Sequence, residues 1–374
     1  MKKHISKLIT TTVFTTAFII HSASADIKPN SDKKYAANSD VVEVAFVLDT
    51  TGSMADLIAG AKQKIWSIAN TIVDINPNAD IRMALVAYRD VGDDYVIKPY
   101  EMSSDIQGMY GNLIGLQADG GGDTPESVNE ALDTAVDDLK WTKGANVRRI
   151  VFLVGDAPPH MDYQNGPKYP AILHQAVQKD IEVHAIQAGD SNATKTIWKD
   201  IALRGGGSYI PIPQDGGQIS EVQTPFDDEI INLQQRLDKT VVPYGAQETQ
   251  AALEQKILDK ASGSVSKRVD NSAFYSKRKS RKEVVTGGGD IISAVRNNDV
   301  ELESVEQENL PVPMQSMSIE EQKSYVDGII KERAKIEEEM YDLVQKRDEF
   351  IKSSETKAES VEELSFDKAV RNAL

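Results

Sequence analysis

Asp49, Thr51 and Ser53 alternate in the stretch VLDTTGS, at the point where an apolar run stops. A carboxylate and two hydroxyls are hard oxygen donors, which suit Mg²⁺, Mn²⁺ or Ca²⁺ and not zinc or copper. Two further stretches offer matching groups. The apolar run RRIVFLVGD (148–156) stops at Asp156, and the glycine-rich ADGGGDTPES carries Thr124. Glycines let a backbone pass close to a bound ion. Asp123, next to Thr124, and His160, in GDAPPHMD, stand near enough to support such a site or to be merely solvated. An aspartate or serine ahead of a helix is often no more than an N-cap, and Ser53 carries that reading too.

For these groups to meet, the chain must bring several strand ends to one edge. From Val41 to about Leu237, strand-like and helix-like runs alternate. Strands are predicted over 41–49, 80–90, 148–156, 181–189 and 208–213, with a short edge strand over 96–101. Helices are predicted over 54–75, 105–116, 125–139, 169–180 and 193–207, and the segment 216–237 closes with a helix. That alternation predicts an α/β fold, a doubly wound, mostly parallel sheet with helices on both faces. In such sheets ligands bind beyond the carboxyl ends of the strands.

Here the residues resemble a known family. DTTGS fits the D-x-[ST]-x-S pattern of von Willebrand factor type A domains, and the likeness covers residues 41–237. VAYRDVGDDY and GGGDTPE resemble the bacterial and kinase-associated branch more than the integrin branch, and with the leader over residues 1–25 this reads as a bacterial exported member. The resemblance implies a Rossmann-like sheet and a metal-ion-dependent adhesion site made by Asp49, Thr51, Ser53, Thr124 and Asp156. It implies Mg²⁺, with Mn²⁺ or Ca²⁺ as alternatives, and a protein partner that completes the coordination with a carboxylate.

Beyond the domain, residues 238–317 read as an irregular or helical linker region. It holds a basic cluster (Lys277, Arg278, Lys279, Arg281 and Lys282) and the turn TGGGD (286–290). The safer reading of that cluster is a solvated charge run. Residues 318–352 read as an amphipathic or coiled-coil helix. Ile329, Ile336, Leu343 and Phe350 repeat every seven residues, and Val326 and Met340 fill the alternate seam. Arg333 and Arg347 break that seam, which favours packing back on the domain over pairing with a second copy into a homo-oligomer. Residues 353–374 read as a tail.

The chain has 374 residues, 40% of them hydrophobic and 27% charged, as in globular proteins. Residues 1–25 differ from the rest. A lysine-bearing start, an apolar run (TTVFTTAFII) and the ending SASA make a secretory signal peptide, with a flexible lead-in over 26–40. The apolar run is shorter than the roughly 20 residues of a spanning helix, so no stable membrane anchor is expected after cleavage. Cleavage would take three lysines from a net charge of −16, leaving about −19, which disfavours nucleic acid and anionic lipid. There is no cysteine, which excludes disulfides, thiol catalysis and thiolate-bound metal. An exported chain of this kind suits a bacterial periplasm, or the cell exterior.

The function expected from this pattern is divalent-cation-dependent binding of a protein partner in the bacterial envelope, without catalysis. Two other readings stand beside it. A metal-assisted hydrolase could use His160 as base, although no G-x-S-x-G, H-E-x-x-H or P-loop is present. Alternatively, the ion stabilises the fold and the C-terminal helices do the binding.

Overall fold

The computed structural model describes residues 40–122, 124–217, 223–355, 370–371 and 373–374. The expected signal peptide, almost all of the lead-in, Asp123 and most of the tail lie outside these residues.

Val41–Asp49 forms the central strand β1, a nearly continuous apolar run, as expected of a parallel strand covered on both faces. α1 (Ala55–Ile75), β2 (Asp80–Tyr88), β3 (Ile97–Ser103) and α2 (Ile106–Gly115) follow. Next come α3 (Val128–Asp133), β4 (Val147–Gly155), α4 (Tyr169–Gln178), β5 (Ile181–Ala188), α5 (Asn192–Arg204) and β6 (Gly206–Ile212). The six strands lie in the order β3-β2-β1-β4-β5-β6. All neighbours are parallel except β3, which closes the edge antiparallel to β2. Asp49 pairs with Tyr88, and Leu48 with Val154. Three central strands therefore end nearly level, with Asp49 and Asp156 on adjacent chains. Asp156 lies one residue past β4 and not within it.

α1 and α2 cover one face of the sheet, and α3, α4 and α5 the other. Asp105 caps α2, its side chain accepting from Gly108 N at 2.9 Å. Ser191 caps α5 in the same way. The single helix predicted over 125–139 is shorter than expected. Glu126 N donates to Pro158 O and Ser127 N to Arg89 O, which holds this stretch against other loops until Val128. After Asp133 the helix widens into a π-helical turn over Thr134–Asp138.

The remaining helices form a further layer. α6 (Asp227–Asp238), α7 (Gln247–Ala261), α8 (Val265–Lys277), α9 (Ile291–Arg296), α10 (Val312–Gln315) and α11 (Ile319–Glu355) belong to it. α8 packs on the outer side of α1. Trp66 of α1 meets Tyr110, Phe274 and Tyr275 with ring centroids 5.5–6.2 Å apart, a core role consistent with its burial. α6 joins this layer with α8 and α11 and does not sit on the sheet.

α11 runs 37 residues and turns Val326, Ile336, Met340 and Val344 inward. The two arginines that interrupt its seam are among its most buried residues. Arg333, 1% exposed, donates to Asp290 Oδ2 at 2.7 Å, Thr240 Oγ1 at 2.7 Å and Thr240 O at 2.6 Å. Arg347 reaches Asp227 at 3.3 Å and Asp270 at 2.9 Å. Three residues of the basic cluster are likewise committed to ion pairs and are not part of a solvated charge run, while Lys279 is exposed. Arg278, 2% exposed, pairs with Glu283. Lys277 pairs with Asp74 and Asp348, and Arg281 with Glu283 and Asp299. Among the described residues no helix is long and apolar enough to cross a membrane.

Because Arg333 ties α11 to the segments bearing Thr240 and Asp290, Arg333→Ala leaves a buried carboxylate without its cation. It should lower stability by about 3–5 kcal/mol. Urea unfolding followed by tryptophan fluorescence would show this as a lower midpoint. Arg333→Lys should recover only part of the loss, since an ammonium cannot match the fork of a guanidinium.

Candidate functional site

The loop after β1 is pinned from two sides. Thr50 N donates to Tyr88 O at 2.9 Å, Gly52 N to Gly120 O at 3.1 Å, and Asp119 N to Thr50 O at 3.1 Å. The glycine-rich loop therefore lies directly over residues 50–52. Gly121 has φ +76, and a side chain there would stand 2.8 Å from Thr51 Cβ and 3.2 Å from Glu126 Oε1. At the end of β4, a Cβ on Gly155 would fall 2.4 Å from the Tyr88 hydroxyl and 3.0 Å from Asp49 Cβ. Glycine at both places keeps the space beside Asp49 clear.

Asp49 has no exposure. Its Oδ1 accepts from Thr51 N at 2.9 Å and from Thr51 Oγ1 at 2.7 Å. Its Oδ2 is buried and has no hydrogen-bond partner. Burial pushes its carboxyl up to about 7, against the two bonds from Thr51 that hold it down, and the nearby Asp156 raises it further. The Tyr88 phenol faces the same carboxylate, yet by geometry its oxygen too is unpaired. Ser53 Oγ lies 3.3 Å from Thr51 Oγ1, and no side chain caps the short 3-10 turn over Gly52–Met54 or the start of α1. Ser53 is therefore not spent as an N-cap. Gln214, from the loop after β6, spans the site: its Nε2 donates to Asp156 Oδ2 at 2.7 Å and to Ser53 O at 3.1 Å. Thr194 holds the backbone of Asp156, donating to its carbonyl at 2.8 Å.

Asp49, Thr51, Ser53 and Asp156 thus meet at one edge. Thr124 is exposed on the glycine-rich loop, two residues ahead of Glu126, and no described contact ties it to Asp49. Asp123 lies outside the described residues. His160 is turned away from the site. Its Nδ1 is 2.8 Å from Asp162 and its Nε2 3.4 Å from Asp90, and its ring stacks on Tyr163 at 3.9 Å.

Glu126 was not singled out from the sequence. It is 3% exposed, and its Oε2 is buried without a partner. Burial pushes its carboxyl up to about 8, and Asp49, Asp90, Asp93 and Asp156 push in the same direction. In sequence it reads as an ordinary acid before a helix. Only its position two residues after Thr124, on a glycine-rich loop, marked it out. Gln214 and Tyr88 carried no sequence signal of this kind.

This donor set fits a hard divalent cation. The buried, unpartnered oxygens of Asp49 and Glu126 repel each other and, among the described residues, have no ion pair, a condition that a bound metal would relieve. Among the described residues no three acidic or histidine groups cluster as a metal site by themselves. A cation here would be held by Asp49 and Asp156 with the hydroxyls of Thr51 and Ser53, and Glu126 beside them.

Residues 43–211 match the family model described as von Willebrand factor A domain. Over 160 residues the chain is 29% identical to an ariadne-like RING finger protein, R811, of Acanthamoeba polyphaga mimivirus. That match takes in 43% of this chain and only 15% of the viral protein. Among solved structures, the chain is similar to the conserved hypothetical protein BatB from Bacteroides thetaiotaomicron. The identity is 14% and the TM-score 0.34, over 59% of this chain and 98% of that one. It is similar to proximal thread matrix protein 1 of the mussel byssus at 15% identity and TM-score 0.37, over 48% and 44% of the two chains. It is also similar to the SpRpn10 VWA domain at 15% identity and TM-score 0.35, over 47% and 88%.

The raised carboxyls carry a pH signature. Asp49 and Glu126 ordinarily titrate near 3.8 and 4.5, and folding moves them to about 7 and about 8. Across that window the folded chain holds more protons than the unfolded one, so stability falls as pH rises from about 4 to about 8. Thermal melts in EDTA should show this fall. Asp49→Asn should flatten it and should raise the melting point at pH 8.

Proposed function

We propose that this chain, which carries a von Willebrand factor A domain over residues 43–211, is a divalent-cation-dependent protein-binding module of the bacterial envelope. The observation that supports it most is the pair of buried, unpartnered carboxylate oxygens on Asp49 and Glu126, beside Asp156 and two hydroxyls. Such a set holds Mg²⁺, with Mn²⁺ or Ca²⁺ as alternatives, because each donor is a hard oxygen. The metal supplies an electrophilic centre for a partner's carboxylate. Asp49 is oriented for this by Thr51, and Asp156 by Gln214. Thr124, exposed on the same glycine-rich loop as Glu126, would add a third hydroxyl to such a set.

Binding is favoured over hydrolysis by the orientation of His160. Its Nδ1 is held by Asp162 of its own loop at 2.8 Å and its Nε2 faces Asp90 at 3.4 Å, so both ring nitrogens are turned to carboxylates other than Asp49. Recognition through the domain is favoured over recognition through the C-terminal layer because Lys277, Arg278 and Arg281 of the basic cluster are already ion-paired. The composition of residues 1–25 supports export, to the periplasm first and the exterior second.

Calorimetry on the chain lacking residues 1–25 should register Mg²⁺ or Mn²⁺ binding, and Asp49→Ala should abolish it. A pull-down from envelope extract should retain a partner in Mg²⁺ and release it in EDTA. Absence of any heat with either metal would defeat the reading.

A further inference from the structure

The loops around the site differ in charge from the rest of the chain. The segments at the carboxyl edge of the parallel strands are 50–54, 89–96, 156–168, 189–191 and 213–217, which leave strand ends, and 116–127, which follows α2 and lies over residues 50–52. Their described residues include nine acids and two basic residues. The two basic residues are outnumbered: Arg89 lies 4.0 Å from Asp94, and Lys168 lies close enough to act on the Asp162 carboxylate. Arg89 is 5% exposed, donates to Gln117 O at 2.8 Å and lies 4.5 Å over the Tyr95 ring; Lys168 is half-buried. Five aspartates stand exposed around the rim: Asp94, Asp119, Asp162, Asp190 and Asp215. They come from five different loops at the carboxyl edge of the sheet. At the same edge lie the unpartnered oxygens of Asp49 and Glu126.

This arrangement poses a problem for the function proposed above, on which the following inference rests. A carboxylate attracted by the ion must pass these loops of like charge. Like charges facing each other across an interface are unfavourable, and rim charges act chiefly on encounter and partner choice. We propose that the partner is a protein segment whose metal-seeking carboxylate is flanked by lysine or arginine, so that the cations meet the aspartate rim while the carboxylate enters the centre. Two exposed apolar side chains on the same rim, Val91 and Met161, offer surface for the aliphatic stems of such residues. An isolated acidic segment is repelled, and a purely basic one meets the rim but leaves the ion without its ligand.

The test uses the chain without residues 1–25 and four short capped peptides in fluorescence anisotropy. One carries a single aspartate between lysines, one an aspartate between serines, one an aspartate between glutamates, and one a serine between lysines. Each is measured with Mg²⁺ and with EDTA, at low and at high salt. The lysine-flanked aspartate should bind about tenfold tighter than the serine-flanked one at low salt, narrowing to about twofold at high salt. The glutamate-flanked peptide should bind weakest, and EDTA should release the lysine-flanked aspartate. The combined Asp94→Asn, Asp119→Asn, Asp162→Asn variant, checked for folding by its melting curve, should lose most of the preference for lysine. EDTA-sensitive binding of equal strength for lysine and serine flanks would overturn the inference and leave the metal-dependent reading standing. If no peptide responds to EDTA, the metal-dependent reading itself fails. If the lysine-flanked serine binds as tightly as the lysine-flanked aspartate, charge alone is at work and the inference is overturned.

Discussion

A fully buried carboxylate with one unpaired oxygen ends the central strand, and the site is organised around it. Asp49 lies where β1 leaves the sheet, under a glycine-rich loop and beside Tyr88, with no ion pair among the described residues. Removing such a group from water is costly unless it is neutralised or paired. Thr51 satisfies one oxygen, and the glycines at 121 and 155 keep other side chains from filling the space at the second. Glu126 repeats the situation from another loop, and each carboxylate makes the other harder to ionise. A fold selected only for stability would replace these groups with apolar or paired ones. Their presence is the observation that supports the proposed cation site.

The helical layer obeys the same physics with the opposite outcome. Its buried arginines and lysines among the described residues each meet an acidic partner, although two nitrogens of Arg278 stay unpaired. Arg333 and Arg347 enter the interior of the α11 packing and find aspartates, hydroxyls and a carbonyl waiting. Lys260, whose amine is driven toward neutrality by burial, is held by Asp238 and by Val284 O. The contrast gives the two regions different roles. Satisfied networks fix α6, α8 and α11 against α1, and through Trp66 against the sheet. The unsatisfied one sits at the far edge of the strands, where a partner can reach it.

Much of this was legible in the residues themselves. The apolar runs of β1, β2, β4 and β5 are long enough, and uniform enough, to demand cover on both faces, and their alternation with amphipathic helices leaves little freedom in architecture. Asp49 and Asp156 stood out because each stops such a run. Glu126 did not, because an acid before a helix is common and its burial depends on which loop folds over it. The basic cluster and the seam-breaking arginines were ambiguous for a related reason. A cation in a charged stretch looks solvated until its partner, often many residues away, is placed.

The sequence by itself determined the sheet, the order of its elements and the edge at which hydroxyls and carboxylates collect, since periodicity and strand-ending residues are local properties. Only the tertiary structure decided which charges are answered internally and which are left open. Pairing and desolvation depend on contacts such as Arg333 with Asp290 or Gly121 over Thr51, and spacing along the chain does not encode them.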